Sequence, residues 1–249
     1  MKKNILCVIP ARGGSKRIPN KNILLLGGKP LIVHSIEHAK KSKLIKKIIV
    51  STDSPEITRV SKKCGVEVVR RPKRISGDHA APESAIKHVI EQVEKSGFYP
   101  DLIVFLQCTS PIRGPHDIDR AIKKLYKENA DSLLSVCRNE RFLWRSVFGN
   151  MQPVNYDYLK RPRDQDHPEE YRENGSIYIF KPEVMQKYGN RLGGKIAVYE
   201  MDYWSSFQID SPEHFELCEW IYEKREKSFE ALTHPGEQKL DVNKTKEKS

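Results

Sequence analysis

Residues 5–17 are Ile5-Leu6-Cys7-Val8-Ile9-Pro10-Ala11-Arg12-Gly13-Gly14-Ser15-Lys16-Arg17. A short apolar run leads directly into a loop that holds two glycines, a serine and three cations. The run predicts a buried strand, and glycine amides beside Arg and Lys allow a phosphate group to approach closely with its charge balanced. The loop matches neither the GxxxxGK[ST] nor the GxGxxG motif. It could be an ordinary basic loop, but its place after the first strand favours a phosphate site.

Strand and helix patterns alternate along the first two-thirds of the chain. Strands are predicted at 5–9, 48–51, 66–69, 102–106 and 132–136, and helices at 30–42, 55–63, 83–94 and 115–126. Repeated units of this kind predict an α/β fold with a mostly parallel, doubly wound, Rossmann-like sheet and helices on both faces. In such sheets ligands bind beyond the C-terminal ends of the strands. The loops after the strands are therefore the candidate site.

The alternation stops between about 138 and 172, where aromatic residues and prolines lie among charges without a helical period. We interpret this segment as a β-arm inserted in the domain, either a lid or a subunit contact. Strands are predicted again at 176–180 and 196–199. A last helix should begin with Ser211 as N-cap and Pro212 in its first turn, and end near residue 225. We expect one domain over 1–228, which includes the arm, and a polar, disordered tail over 229–249.

The composition excludes several classes of protein. A chain of 249 residues suits one large α/β domain. It contains no apolar run near the roughly 20 residues that span a bilayer and no signal-peptide pattern, so we expect a cytoplasmic protein that does not bind membranes. Five scattered cysteines without a CxxC pair argue against a disulfide framework and a zinc ribbon. The net charge of +11 suits nucleic acid, but many lysines fall on predicted helix faces or in the tail. A small polyanionic substrate is the preferred interpretation.

Four motifs follow one another along the chain: Pro10-Ala11-Arg12-Gly13-Gly14-Ser15-Lys16 with Lys21-Asn22, then Arg71-Pro72 with Asp78 and Ser84, then Leu106-Gln107-Cys108-Thr109-Ser110-Pro111-Ile112-Arg113, then Asn174-Gly175-Ser176-Ile177-Tyr178-Ile179. In this order they resemble the signatures of the acylneuraminate cytidylyltransferases, the CMP-sialic acid synthetases. The resemblance covers residues 4–224. It implies a fold of the nucleotide-diphospho-sugar transferase type and an enzyme that joins an acidic nine-carbon sugar to CMP from CTP, with release of pyrophosphate.

The same resemblance implies roles for individual residues. Arg12 and Lys16 would bind the triphosphate and take part in catalysis. The implied nucleotide-binding set is Ala11, Arg12, Gly13, Ser15, Lys16, Asn22, Arg71 and Ser84, and the implied sugar-binding set is Gln107, Arg163 and Asn174. Other interpretations stay open, because Gln107 and Asn174 could satisfy backbone groups in turns, and Ser84 could cap a helix.

The segment Phe207-Gln208-Ile209-Asp210-Ser211 resembles the D-I-D-[ST] metal segment of the family. The resemblance implies Mg²⁺ as cofactor, with Asp210 as a ligand and a catalytic residue. A spacing of two places residues 208 and 210 on the same side of an extended backbone, so Gln208 is the second candidate ligand. An amide is a neutral, weaker magnesium ligand. The ion would depend on Asp210 and the triphosphate, or Gln208 would bind it through water. Asp210 could also be only a helix-entry residue.

The resemblance further implies a homodimer in which the arm of one subunit reaches the cleft of the other. Three alternatives stay open. The sugar could be legionaminic, pseudaminic or 3-deoxy-octulosonic acid, and the nucleotide could be GTP. The net charge and the Gln208 replacement also leave room for a non-catalytic nucleotide- or nucleic-acid-binding protein.

Overall fold

A computed structural model describes residues 3–15, 17–77 and 80–233, without the side chains of Asp164 and of residues 225–233. Lys16, Asp78 and the tail from 234 to 249 lie outside the described residues, so the predictions made for them are untested. The strands are β1 (Ile5–Pro10), β2 (Leu25–Leu26), β3 (Lys29–Pro30), β4 (Lys47–Thr52), β5 (Glu67–Arg70), β6 (Leu102–Leu106), β7 (Ser132–Asn139), β8 (Trp144–Val147), β9 (Asn150–Pro153), β10 (Glu170–Phe180) and β11 (Ile196–Glu200). The helices are α1 (Leu31–Lys41), α2 (Pro55–Lys63), α3 (Pro82–Lys95), α4 (Asp117–Lys127), α5 (Pro182–Tyr188) and α6 (Pro212–Thr233).

Seven strands of the described residues form one sheet in the order β11-β7-β10-β6-β1-β4-β5. β10 is antiparallel to β6 and β7, and the other neighbouring pairs are parallel. Alternate side chains of each strand enter opposite cores. The core on one face contains apolar residues of α1, α2 and α4, and the core on the other contains residues of α3 and α5. These features confirm the predicted doubly wound, mostly parallel α/β sheet.

β10 brings a late part of the chain to the C-terminal edge of the parallel strands. Its residue Ile177 pairs with Leu106, the last residue of β6. The register with β7 shifts between Glu173 and Tyr178, so the ladder is irregular there. Because β10 runs in the reverse direction, the residues just before Ile177 lie beyond the end of β6. That position places Asn174 and Gly175 at the edge where ligands bind in open α/β sheets.

The segment interpreted as an arm contains a hairpin formed by β8 and β9 and two single turns of 3-10 helix, Tyr158–Lys160 and Asp164–Asp166. β7 continues to Asn139, beyond its predicted end at residue 136, because its last residues pair with the first half of β10. Phe148, at the hairpin turn, is fully exposed. The homodimer inferred for this segment stays a prediction.

The last helix begins as predicted and ends later. Ser211 Oγ accepts a hydrogen bond from the His214 amide at 3.4 Å, and Pro212 is the first helical residue. The helix continues to Thr233 instead of ending near residue 225. Residues 225–233 contain no glycine or proline and several strong helix formers, so no stop signal occurs before Pro235. Within the described ranges, no helix combines the length and apolarity that crossing a bilayer requires.

His38 on α1 should make the fold less stable in mild acid. Its Nδ1 is enclosed without a hydrogen-bond partner among the described residues, and burial, reinforced by Arg113 and Lys41, holds its pKa well below the ordinary value of 6.5. The unfolded chain therefore binds a proton below pH 6.5 that the folded chain does not bind, and acidification favours unfolding. The free energy of unfolding should fall by up to about 1.4 kcal/mol per pH unit in this window.

Urea titrations between about pH 5 and 7 test this dependence. His38→Gln should flatten the slope. His116→Gln, which removes an exposed imidazole just before α4, should leave the slope unchanged. A His38→Gln slope equal to that of the unmodified chain would show that His38 is not its source.

Candidate functional site

A cleft of about 490 Å³ lies where β1, β5 and β6 end. Its lining comes from the loop after β1, from residues that follow β5 and β6, and from the segment before α6. Among the described residues the lining holds four cations, Arg12, Arg17, Lys21 and Arg71, and one carboxylate, Asp210. A cleft with this balance suits a ligand that carries several negative charges.

The loop after β1 is held by its neighbours. The Ala11 amide donates to the Ser51 carbonyl at 2.9 Å, and the Gly13 amide donates to Asp53 Oδ1 at 2.9 Å. The Asn22 side-chain amide donates to the Arg12 carbonyl at 3.0 Å. These bonds fix the backbone from which the cationic side chains extend, so the cations are presented on a rigid support.

The predicted nucleotide residues divide into two groups. Arg12 and Ser15 line the cleft, while Lys16 lies outside the described residues. Asn22 also lines the cleft although it is only 7% exposed, whereas Ala11 is buried in the core and shapes the loop from within. Gly13 packs closely, since a Cβ there would lie 3.0 Å from Ser54 Cβ. A larger residue at position 13 would push the loop away from α2.

Arg71 and Ser84 come from the second predicted nucleotide segment. Arg71 lines the cleft and donates to the Ser51 carbonyl at 2.8 Å and to Ser51 Oγ at 3.3 Å. Burial lowers the pKa of Arg71, and nearby Asp53 opposes that shift. Ser84 lies in the first turn of α3, where its Oγ donates to the Ala81 carbonyl at 2.7 Å. The structure thus places Arg71 at the cleft, whereas Ser84 forms a hydrogen bond in the first turn of α3.

Asp210 reaches the cleft together with a residue to which the sequence analysis gave no role. Lys21 Nζ donates to the Ile209 carbonyl at 2.7 Å and to Asp210 Oδ1 at 3.2 Å. The Lys21 side chain is 14% exposed and that of Asp210 is 45% exposed, so the carboxylate faces the cleft. Lys21 belongs to the first of the four motifs. Nothing in the sequence indicates that it contacts Asp210, which lies far along the chain.

The donors present fit a magnesium ion only together with a phosphate ligand. No group of three or more His, Cys, Asp or Glu side chains able to hold a metal occurs among the described residues. Asp210 is the single carboxylate in the described lining. Magnesium is commonly held by one or two carboxylates with substrate phosphates completing its shell. One half-exposed carboxylate beside a cationic loop agrees with that arrangement.

Gln107 and Gln208 meet above Gly175. Gly175 has φ +62°, and a Cβ built on it would lie 2.7 Å from Gln107 Oε1 and 2.7 Å from Gln208 Nε2. Gln107 lines the cleft, whereas Gln208 is half-buried beside it and is not one of the described lining residues. The absence of a side chain at position 175 therefore leaves the space that the two amide groups occupy.

The other two predicted sugar residues have different surroundings. Asn174 is 1% exposed; its Oδ1 accepts from Ser135 Oγ at 2.6 Å, and its Nδ2 donates to the Ser205 carbonyl at 3.3 Å. It supports the irregular middle part of β10. Arg163 is exposed and pairs with Asp166 at 2.6 Å. The structure does not bring Arg163 or Asn174 into the described lining of the cleft.

Arg113 is a buried cation behind the cleft, and the sequence analysis gave it no role. Its Nη2 donates to the carbonyls of Gln107 at 2.7 Å and Ser176 at 3.0 Å, and its Nη1 donates to Ser35 Oγ at 3.1 Å. Burial lowers the pKa of Arg113 to about 10. One guanidinium thus holds the loop after β6 against the middle of β10, which fixes the backbone of Gln107.

Comparisons with known proteins show similarity in sequence and in fold. A family model described as Cytidylyltransferase matches residues 6–238. N-acylneuraminate cytidylyltransferase of Oncorhynchus mykiss is 38% identical over 204 residues, which make up 80% of this chain and 46% of that protein. Pseudaminic acid cytidylyltransferase of Campylobacter jejuni is 33% identical over 178 residues, which make up 70% of this chain and 77% of that protein.

The chain matches N-acylneuraminate cytidylyltransferases of two fish and spans about half the length of these proteins. Among solved structures, CMP:2-keto-3-deoxy-manno-octonic acid synthetase complexed with CTP superimposes with a TM-score of 0.67 at 19% identity, over 89% of this chain and 99% of that one. At 19% identity the superposition shows that the two proteins share a fold.

Proposed function

Because this chain belongs to the cytidylyltransferase family, we propose that it joins a 2-keto acid sugar to CMP from CTP and releases pyrophosphate. One observation carries the proposal: the cleft at the C-terminal edge of the sheet holds four cations and one carboxylate among its described lining residues. A nucleoside triphosphate and an acidic sugar are both anionic, so this charge balance suits the pair. The names of the similar proteins, which refer to cytidylyl transfer and to acidic sugars, support the same substrate class.

The proposed reaction is a direct displacement. The anomeric hydroxyl of the sugar forms a bond to the α-phosphorus, the bond from that phosphorus to the bridging oxygen breaks, pyrophosphate leaves, and the hydroxyl proton passes to solvent. Arg12, Lys21 and Arg71 stabilise the negative charge that the phosphates carry, and no protein nucleophile is needed. Catalysis comes from positioning and electrostatics.

Asp210 would hold the magnesium ion together with the phosphates. The bound ion supplies charge neutralisation at the phosphate oxygens. The Asp210 carboxylate accepts a hydrogen bond from Lys21. Binding of the triphosphate then offers Lys21 a second anionic partner in the same cleft.

A substrate panel tests the proposal. Pyrophosphate release is measured with CTP or GTP, Mg²⁺ and N-acetylneuraminic, legionaminic, pseudaminic and 3-deoxy-octulosonic acids. We expect turnover with CTP and one of the nine-carbon acids, since the chain resembles the N-acylneuraminate and pseudaminic acid enzymes in sequence. Pyrophosphate release with GTP but not with CTP would show that the nucleotide substrate is GTP instead of CTP. Binding of nucleotide without release across the whole panel would favour a non-catalytic nucleotide-binding protein.

A further inference from the structure

We propose that Gln208 contacts the sugar as a partner of Gln107, and that it does not serve the metal; this inference rests on the proposed function. The two amide groups share one place in the fold. Gln107 Oε1 and Gln208 Nε2 both lie 2.7 Å from the point where a Cβ of Gly175 would stand, so they are at most twice that distance apart. Gln107 itself lines the cleft.

Asp210 has different neighbours from Gln208, although the two residues are only two apart. The Asp210 carboxylate lies beside Lys21, at 3.2 Å, on the cationic side of the cleft. The Gln208 amide lies beside Gln107 and Gly175. Gln208 occupies the position of the first carboxylate in the family's metal segment. Its side chain is directed toward Gln107 and Gly175.

The chemistry of an amide pair suits a neutral ligand group. Each amide offers a carbonyl acceptor and two N–H donors without charge. Such groups match a hydroxyl or acylamino substituent of a sugar, whereas magnesium prefers anionic oxygen ligands. Glutamine is also one methylene longer than aspartate, which allows it to reach over Gly175. Because Gly175 has no side chain, the two amide groups can lie close to its backbone and to each other.

Two variants of Gln208 separate a sugar contact from a metal contact. Gln208→Ala removes the amide, and Gln208→Leu replaces it with an apolar group of similar size. Gln186→Ala, which removes an exposed glutamine of α5, is the matched control. For each protein we measure KM for the sugar at saturating CTP, KM for CTP at saturating sugar, and binding of Mn²⁺ with CTP in the absence of sugar by electron paramagnetic resonance.

We expect KM for the sugar to rise roughly tenfold in both Gln208 variants, because one hydrogen-bonding group of the substrate loses its partner. KM for CTP and the Mn²⁺ affinity should stay within about twofold of the parent values, and Gln186→Ala should change none of the three quantities.

An unchanged KM for the sugar in the two variants would overturn the inference. Weaker Mn²⁺ binding with an unchanged KM for the sugar would overturn it too, since Gln208 would then act on the metal side. Absence of turnover in the parent protein with every sugar would remove the proposed function itself. Turnover in the parent with unaffected variants would remove only the role of Gln208.

Discussion

Replacement of Asp210 by asparagine is expected to lower kcat/KM for pyrophosphate release by roughly 100-fold or more. The substitution keeps the size of the side chain and removes the single carboxylate of the described cleft lining. The proposed phosphate transfer depends on balanced charge in the cleft, so the loss should fall on the chemical step. Because the Asp210 side chain is 45% exposed, the free energy of unfolding should change by less than about 1 kcal/mol.

The matched control for this experiment is Glu37→Gln. Glu37 also forms an ion pair with a lysine, Lys29 at 3.0 Å, but on the surface of α1. It should leave both turnover and stability near the parent values. Steady-state pyrophosphate release and urea titration of the three proteins provide the measurements. An Asp210→Asn enzyme with parental turnover would exclude a role for this carboxylate in the reaction.

Gly175→Ala is expected to reduce kcat/KM for the sugar by roughly 100-fold, with a smaller loss of stability. The new Cβ would lie 2.7 Å from Gln107 Oε1 and from Gln208 Nε2, closer than any ordinary contact, so both amide groups must move. They are ends of flexible side chains and can swing away. The positive φ of +62° costs alanine about 1–2 kcal/mol of stability.

Gly97→Ala separates the backbone cost from the loss of the amide pair. Gly97 follows α3, has φ +84°, and a Cβ there would meet nothing within 4 Å. This variant should lose about 1 kcal/mol of stability and keep parental kinetics. Thermal unfolding and kinetics with varied sugar compare the two. A Gly175→Ala enzyme that retained the parental KM and kcat for the sugar would show that the amide positions are not used in binding.

The strands of the large sheet, the helices α1 to α4, the start of α6 and the site edge could be predicted because each depends on local pattern. Short apolar runs of four or five residues with intervening helices indicate a parallel sheet, and the cationic loop after β1 follows from the order of residues. The contact of Lys21 with Asp210 could not be predicted, since it depends on packing between segments far apart in the chain. The burial of Arg113 could not be predicted either, because nothing in the local sequence indicates that a cation at the end of a motif is buried.

The group formed by residues 107, 175 and 208 was the least predictable part of the candidate site. Position 175 meets residues 107 and 208 only because β10 reverses direction and its register with β7 shifts. Sequence spacing alone placed residues 208 and 210 together. In the folded chain their side chains have separate neighbours, because residue 208 is near β6 and β10 and residue 210 is near the loop after β1.

The insertion of β10 between β6 and β7 also affects how the chain is completed during synthesis. Both neighbours are made before residues 170–180, so each has an unpaired edge until the later strand arrives. Open edges of this kind recruit strands of other chains and promote aggregation. The strand that brings Gly175 to the cleft is thus also the strand that closes these edges. A nascent chain therefore closes these edges before it adds Gln208 and Asp210 to the site.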